Sequence, residues 1–98
     1  MASLVLFTAP GCAYCGPVKR SAQALEADGK IEELVVRDLA EERPLFIEWQ
    51  VQSVPTILVM DQGQVRGRHS GVLSTSQLED FIERSLQSDL FPEPSGGE

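Results

Sequence analysis

The chain has 98 residues, 42% of them hydrophobic, which is enough for one small domain to bury a single core without disulfide staples. Its formal net charge of -7 argues against nucleic acid or an anionic membrane as partner, since both need cationic patches. Two cysteines and one histidine exclude a secreted disulfide framework and a four-ligand Cys/His zinc site closed within one chain.

Met1-Ala2-Ser3 carries no basic region, and the apolar run after it is far too short for a signal sequence or a membrane span, so a soluble, cytoplasmic chain is expected. Leu4-Val5-Leu6-Phe7 is that run, and it suits a strand near residues 3 to 8 buried on both faces. Thr8-Ala9-Pro10-Gly11 links it to a helix near 13 to 28, on which Val18, Ala22 and Leu25 recur at i, i+4 and i+7 before Gly29.

A second strand, Glu33 to Arg37, is followed by Asp38, Glu41-Glu42 and Pro44, an order of acids and then proline that starts a helix. That helix carries Leu45, Phe46 and Trp49 and ends near Gln50. Thr56 to Met60 is the strongest strand pattern, and Asp61-Gln62-Gly63-Gln64 turns it into a polar last strand near 64 to 69, a β-hairpin. On that strand Arg66, Arg68 and His69 read as exposed residues, the arginines discouraging edge pairing.

Ser74 with Gln77 forms a capping box ahead of a last helix whose apolar face is Leu78, Phe81, Ile82 and Leu86. The domain therefore spans 1 to 88, and 89 to 98, with prolines, glycines and acids, reads as a disordered acidic C-terminal tail. The order β-α-β-α-β-β-α predicts an α/β fold, two parallel crossovers then an antiparallel hairpin, with helices on both faces of a mixed four-stranded sheet.

Chemistry concentrates at Cys12-Ala13-Tyr14-Cys15, the only cysteines, at the seam between the first strand and the first helix. Backbone N–H groups without intrahelical partners and the positive end of the helix dipole stabilise a thiolate there. A Cys-x-x-Cys placement also lowers a thiol pKa from its free value of about 8.5. Cys12, nearer the loop, is the candidate nucleophile, and Cys15, one turn on, the candidate resolving thiol. A structural bridge over two residues closes too small a loop to stabilise much, and a zinc site would have to be shared between subunits.

Together with Ser53-Val54-Pro55-Thr56, the turn at Gly63 and Gly71, this motif makes residues 3 to 87 resemble the thioredoxin-fold family. Without an additional strand and helix ahead of the motif strand, the likeness is to short thioredoxin and glutaredoxin-like proteins. The resemblance implies a cis Pro55 packed against the cysteines, with the Val54 backbone offered to a substrate that binds as an added strand. It also implies substrate contacts for Tyr14 and Gly71, and makes Lys19 a candidate thiolate stabiliser.

This chain departs from the family pattern at several places. Ala13-Tyr14 replaces the thioredoxin Gly-Pro spacer, Gly11 replaces a tryptophan, and Tyr14 matches only the second position of the glutaredoxin Pro-Tyr spacer. Thioredoxins bury an aspartate where this chain has Leu6, which leaves water or another group to exchange the proton of Cys15. Thr8-Ala9-Pro10-Gly11 and Ser70-Gly71-Val72 lack the glutathione anchors of glutaredoxins. A shifted register, Tyr14-Cys15-Gly16-Pro17-Val18-Lys19, would make Cys15 the nucleophile, but it lengthens the strand-to-motif link by three residues.

The resemblance implies a thiol-disulfide oxidoreductase that reduces protein disulfides, with no metal and no cofactor beyond the Cys12-Cys15 disulfide itself. Its implied partners are disulfide-containing proteins and a thioredoxin-reductase-like electron donor or glutathione, and a monomer is expected. A glutathione-dependent glutaredoxin, and a binding module or metal carrier that uses the dithiol as ligands, are the alternatives.

Overall fold

The computed structural model describes residues 2 to 87, so the expected tail at 89 to 98 lies outside the described residues. Seven elements follow one another: β1 (Ser3–Thr8), α1 (Cys15–Ala27), β2 (Glu33–Asp38), α2 (Leu39–Glu48), β3 (Thr56–Asp61), β4 (Gln64–Ser70) and α3 (Thr75–Gln87). The sheet order is β2-β1-β3-β4. Each element lies where hydropathy and turn chemistry put it, within one or two residues at its ends.

The crossovers differ from expectation. β1 and β2 are parallel, with Leu6 beside Val36, but β3 runs antiparallel to β1, with Leu6 beside Ile57. Only the first crossover is therefore parallel. Residues Asp38 and Thr56, the exit from β2 and the entry to β3, are level with Thr8 and Phe7 of β1, at one end of the sheet.

The reason lies in α2. Pro44 has no N–H to bond the carbonyl of Ala40 and its ring crowds that turn, and the helix breaks at Glu42 (φ -133°, ψ 44°). Asp38 Oδ1 accepts from the Ala40 N–H at 2.8 Å and caps the short first turn, and Pro44 sits in the first turn of the segment after the break. Residues 43 to 48 extend about 9 Å at 1.5 Å per residue. That is less than half the length of a six-residue strand of about 20 Å, and β3 starts at the end of the sheet where β2 stops.

The alternation of the strands divides the core in two. Leu4, Leu6, Ile57 and Val59 face α1 and α3, where they meet Val18, Ala22, Leu25, Leu78 and Ile82. Phe7 and Leu58 face α2 and meet Phe46, with Val5, Leu45, Trp49, Val54 and Met60 around them. Phe7 and Phe46 stack edge to face at 5.0 Å. Ser74 and Gln77 form the expected capping box: the Gln77 N–H donates to Ser74 Oγ at 3.2 Å and the Ser74 N–H to Gln77 Oε1 at 3.0 Å.

The polar strand is less exposed than its composition suggests. Val59 pairs with Gly67 and Met60 with Val65, so Arg66 is the additional residue of a bulge. Its guanidinium donates to the Leu86 carbonyl at 2.9 Å and lies 3.5 Å from Asp61. His69 lies against Phe81, with ring centroids 5.8 Å apart, and is half-buried. Arg68 bonds the end of α2. Arg68 is exposed as expected, whereas reading Arg66 and His69 as solvated missed α3, which comes from distant sequence to cover one face of β4.

Candidate active site

Three elements end at one edge of the sheet, and their ends form the site. β1 finishes at Thr8, and Ala9-Pro10-Gly11 turns the chain into α1, helped by Gly11 at φ +80°. The Cys12 N–H donates to the Ala9 carbonyl at 3.2 Å, and the Cys15 N–H to the Cys12 carbonyl at 3.4 Å. This tight turn brings the two Cα atoms to 5.5 Å, and the sulfurs are joined in a disulfide.

The two cysteines are unequal. Cys15, the first residue of α1, is 7% exposed, whereas Cys12 on the loop is half-buried. Incoming groups therefore reach Cys12 more readily. Tyr14 is the helix N-cap, yet its side chain makes no capping bond, and no acid lies in the first turn. The positive end of the helix dipole is thus left to the sulfurs. The Tyr14 ring is 64% exposed beside the bridge. Lys19 is exposed on α1 one turn beyond Cys15 and forms no ion pair among the described residues.

The second wall comes from the start of β3 and the end of β4. The Val54-Pro55 peptide is cis, and Pro55 is buried. Among the described residues none bonds the Val54 backbone, so its N–H and carbonyl remain open to a ligand strand. The Gly71 N–H donates to the Pro55 carbonyl at 2.9 Å, with Gly71 at φ +112°.

Thr56, whose role sequence reasoning did not draw out, is fully buried. Its Oγ1 donates to the Ser53 carbonyl at 2.7 Å and lies 3.3 Å from Ser70 Oγ. The signal was a hydroxyl directly after the proline, inside an otherwise apolar strand. A cleft of about 110 Å³, lined by Leu39, Phe46, Val51, Gln52, Ser53 and Val54, adjoins this wall.

The structure therefore brings Cys12, Tyr14 and Cys15 to the sheet end that also carries Val54, Pro55 and Gly71, and leaves Lys19 on an exposed helix face. Leu6, where thioredoxins hold an acid, is 1% exposed within the apolar cluster under α1. Chemically, a bridged pair of this kind can take up two electrons and become a dithiol.

Comparison with known proteins agrees with this geometry. A solved malarial protein superposes with a TM-score of 0.78 over 88% of this chain and 98% of its own, at 23% identity, a likeness of fold. Thioredoxin of Haemophilus influenzae is 32% identical over 88 residues, covering 85% of this chain and 78% of that protein. Mitochondrial thioredoxin of Bos taurus is 33% identical over 78 residues, 74% of this chain and 46% of that protein. The chain thus spans about half the length of the mitochondrial relatives it matches. The Thioredoxin family model matches residues 1–84, and the chain belongs to the thioredoxin family.

Proposed function

We propose that this protein is a thiol-disulfide oxidoreductase that reduces disulfides of protein substrates. The observation that carries the reading is the Cys12-Cys15 bridge at the start of α1, half-buried on one side and buried on the other, at the sheet end that carries Val54-Pro55.

In the reduced protein the Cys12 thiolate attacks one sulfur of a substrate disulfide. The substrate S–S bond breaks, a mixed disulfide forms, and the departing substrate thiolate takes a proton. Cys15 then loses its proton, to water in the absence of an acid at Leu6, and attacks the Cys12 sulfur. The Cys12-Cys15 bond forms, the second substrate thiol leaves, and two electrons have moved to the substrate. The dithiol of a thioredoxin-reductase-like protein, or two molecules of glutathione that leave as glutathione disulfide, restores the reduced pair by the reverse exchange.

The open Val54 N–H and carbonyl suit an extended substrate segment, and Tyr14, Pro55 and Gly71 flank it. Lys19 supplies positive charge one turn from Cys15. The thioredoxin relatives favour a reductase partner over glutathione, and a cytoplasmic monomer fits the acidic sequence.

Trapping tests this directly. Cys15→Ser accumulates mixed disulfides with oxidised insulin, whereas Cys12→Ser does not. Capture by Cys12→Ser alone reverses the roles, and capture by neither overturns the reading. Turnover of insulin with dithiothreitol but not with glutathione separates the reductase from a glutaredoxin.

A further inference from the structure

The C-terminus of α2 shows how the Val54 loop is held. Gln50 adopts the left-handed conformation at φ +55°, and the chain closes with the Val51 N–H donating to the Phe46 carbonyl at 2.8 Å and the Gln50 N–H to the Ile47 carbonyl at 3.1 Å. This Schellman closure satisfies the carbonyls of the penultimate turn and leaves later ones facing outward. No basic residue occupies the last turn of α2 to meet them.

Arg68 meets them from β4. It pairs with Leu58 and so lies on the α2 face of the sheet, where Nη1 donates to the Trp49 carbonyl at 2.6 Å and Nη2 to the Gln50 carbonyl at 2.8 Å. A planar guanidinium fits two adjacent carbonyls, and its charge opposes the negative end of the helix dipole. Gln50 leads directly into Val51, Gln52, Ser53 and Val54, which with Leu39 and Phe46 line the cleft at the Val54 wall. The far end of that loop is held by Thr56 on Ser53 and Gly71 on Pro55. The near end is held at Trp49 and Gln50 by Arg68, beside the closure at Val51.

We infer that Arg68 is a positioning residue: it fixes the 50–54 loop, and through it presents the Val54 backbone to the substrate strand. The inference rests on the proposed reduction of protein disulfides at this wall. A small disulfide needs only Cys12, but a polypeptide needs the loop in place.

Two measurements test it on the full chain. In Arg68→Met, which keeps much of the side-chain stem, exchange of the hydrogen-bonded Gln50 and Val51 amides quickens about tenfold, the scale of one charge-assisted hydrogen bond, while amides of β1 and α3 hold. With insulin as substrate KM rises by a similar factor, whereas kcat and the exchange rate with a small aromatic disulfide stay within about twofold. Arg68→Lys, able to reach one carbonyl, recovers part of both effects.

Unchanged exchange at Gln50 and Val51 overturns the inference whatever the activity. Equal losses toward insulin and the small disulfide, or quickened exchange throughout the domain, make Arg68 merely structural and overturn it as well. If wild-type protein reduces no insulin, the proposed function fails, and the exchange measurement still decides whether Arg68 holds the loop.

Discussion

Gly71 and Pro55 are joined across the end of the sheet by a 2.9 Å hydrogen bond, the Gly71 N–H donating to the Pro55 carbonyl, and Gly71 donates it at φ +112°. A Cβ there would meet nothing nearer than His69 Nε2 at 3.8 Å, so space is not the constraint. The backbone conformation is. Gly71→Ala should lower stability by about 1–3 kcal/mol, the cost of a non-glycine residue in such a region. Urea unfolding of the oxidised protein measures this. An alanine variant as stable as wild type would show that the conformation relaxes freely.

A tighter approach occurs along β4. A Cβ added at Gly67 would lie 2.8 Å from Ser85 Cβ and 3.2 Å from Phe81 Cζ, so strand and helix meet backbone to side chain. Gly67→Ala should therefore push α3 off the sheet and cost about 1–3 kcal/mol. Ser85→Gly removes the obstructing atoms but costs about 1 kcal/mol in helix propensity. The double variant should lose less than the sum of the two singles, and strict additivity would mean that the pair does not collide.

Much of this arrangement was legible in the sequence, because period and punctuation act locally. The apolar runs at 4–7 and 56–60, the capping box at Ser74 and Gln77, and the cysteines at a strand-to-helix seam each announce one element by its own residues. What was not legible depends on distant chain. The direction of β3 is set where the broken, short α2 delivers the chain, which no residue of β3 itself announces. The contacts of Arg66 and His69 with α3, and of Arg68 with the end of α2, follow from helices that arrive from distant sequence. A polar, alternating strand gives no sign of which helix ends will seek its side chains.

Lys30 and Glu79 form a surface ion pair at 2.8 Å between the end of α1 and α3. The hydrogen bond to Glu79, and then its charge, raise the Lys30 pKa above the usual 10.5. A raised lysine value means that the pair contributes stability fully below 10.5 and loses it as pH climbs through the folded-state value. The contribution of the lysine's titration is thus constant across neutral pH and is lost in strong base. NMR titration of the Lys30 ammonium should give a midpoint above that of the Glu79→Gln variant. Added salt should narrow the gap, since both side chains are partly exposed. Equal midpoints at low salt would mean that the pair does not persist in solution.

Leu6 offers the sharpest test of how this core differs from that of thioredoxins with a buried acid. It is 1% exposed, on the same face as Val18 and Ile57, and its cluster consists of apolar side chains. Leu6→Asp should cost about 3–5 kcal/mol at neutral pH, as an unpaired buried charge does. Burial raises the pKa of the new carboxyl above its unfolded value. The folded variant then binds its proton more tightly than the unfolded chain, so its deficit is smallest below the unfolded carboxyl pKa and widens as pH rises through the folded one. Leu6→Asn, which has no titrating group, should show a deficit that does not follow pH in this way. Urea unfolding of both variants and the wild type at acidic and neutral pH separates these cases. A Leu6→Asp deficit parallel to that of Leu6→Asn would show that water, or a donor group, reaches this position.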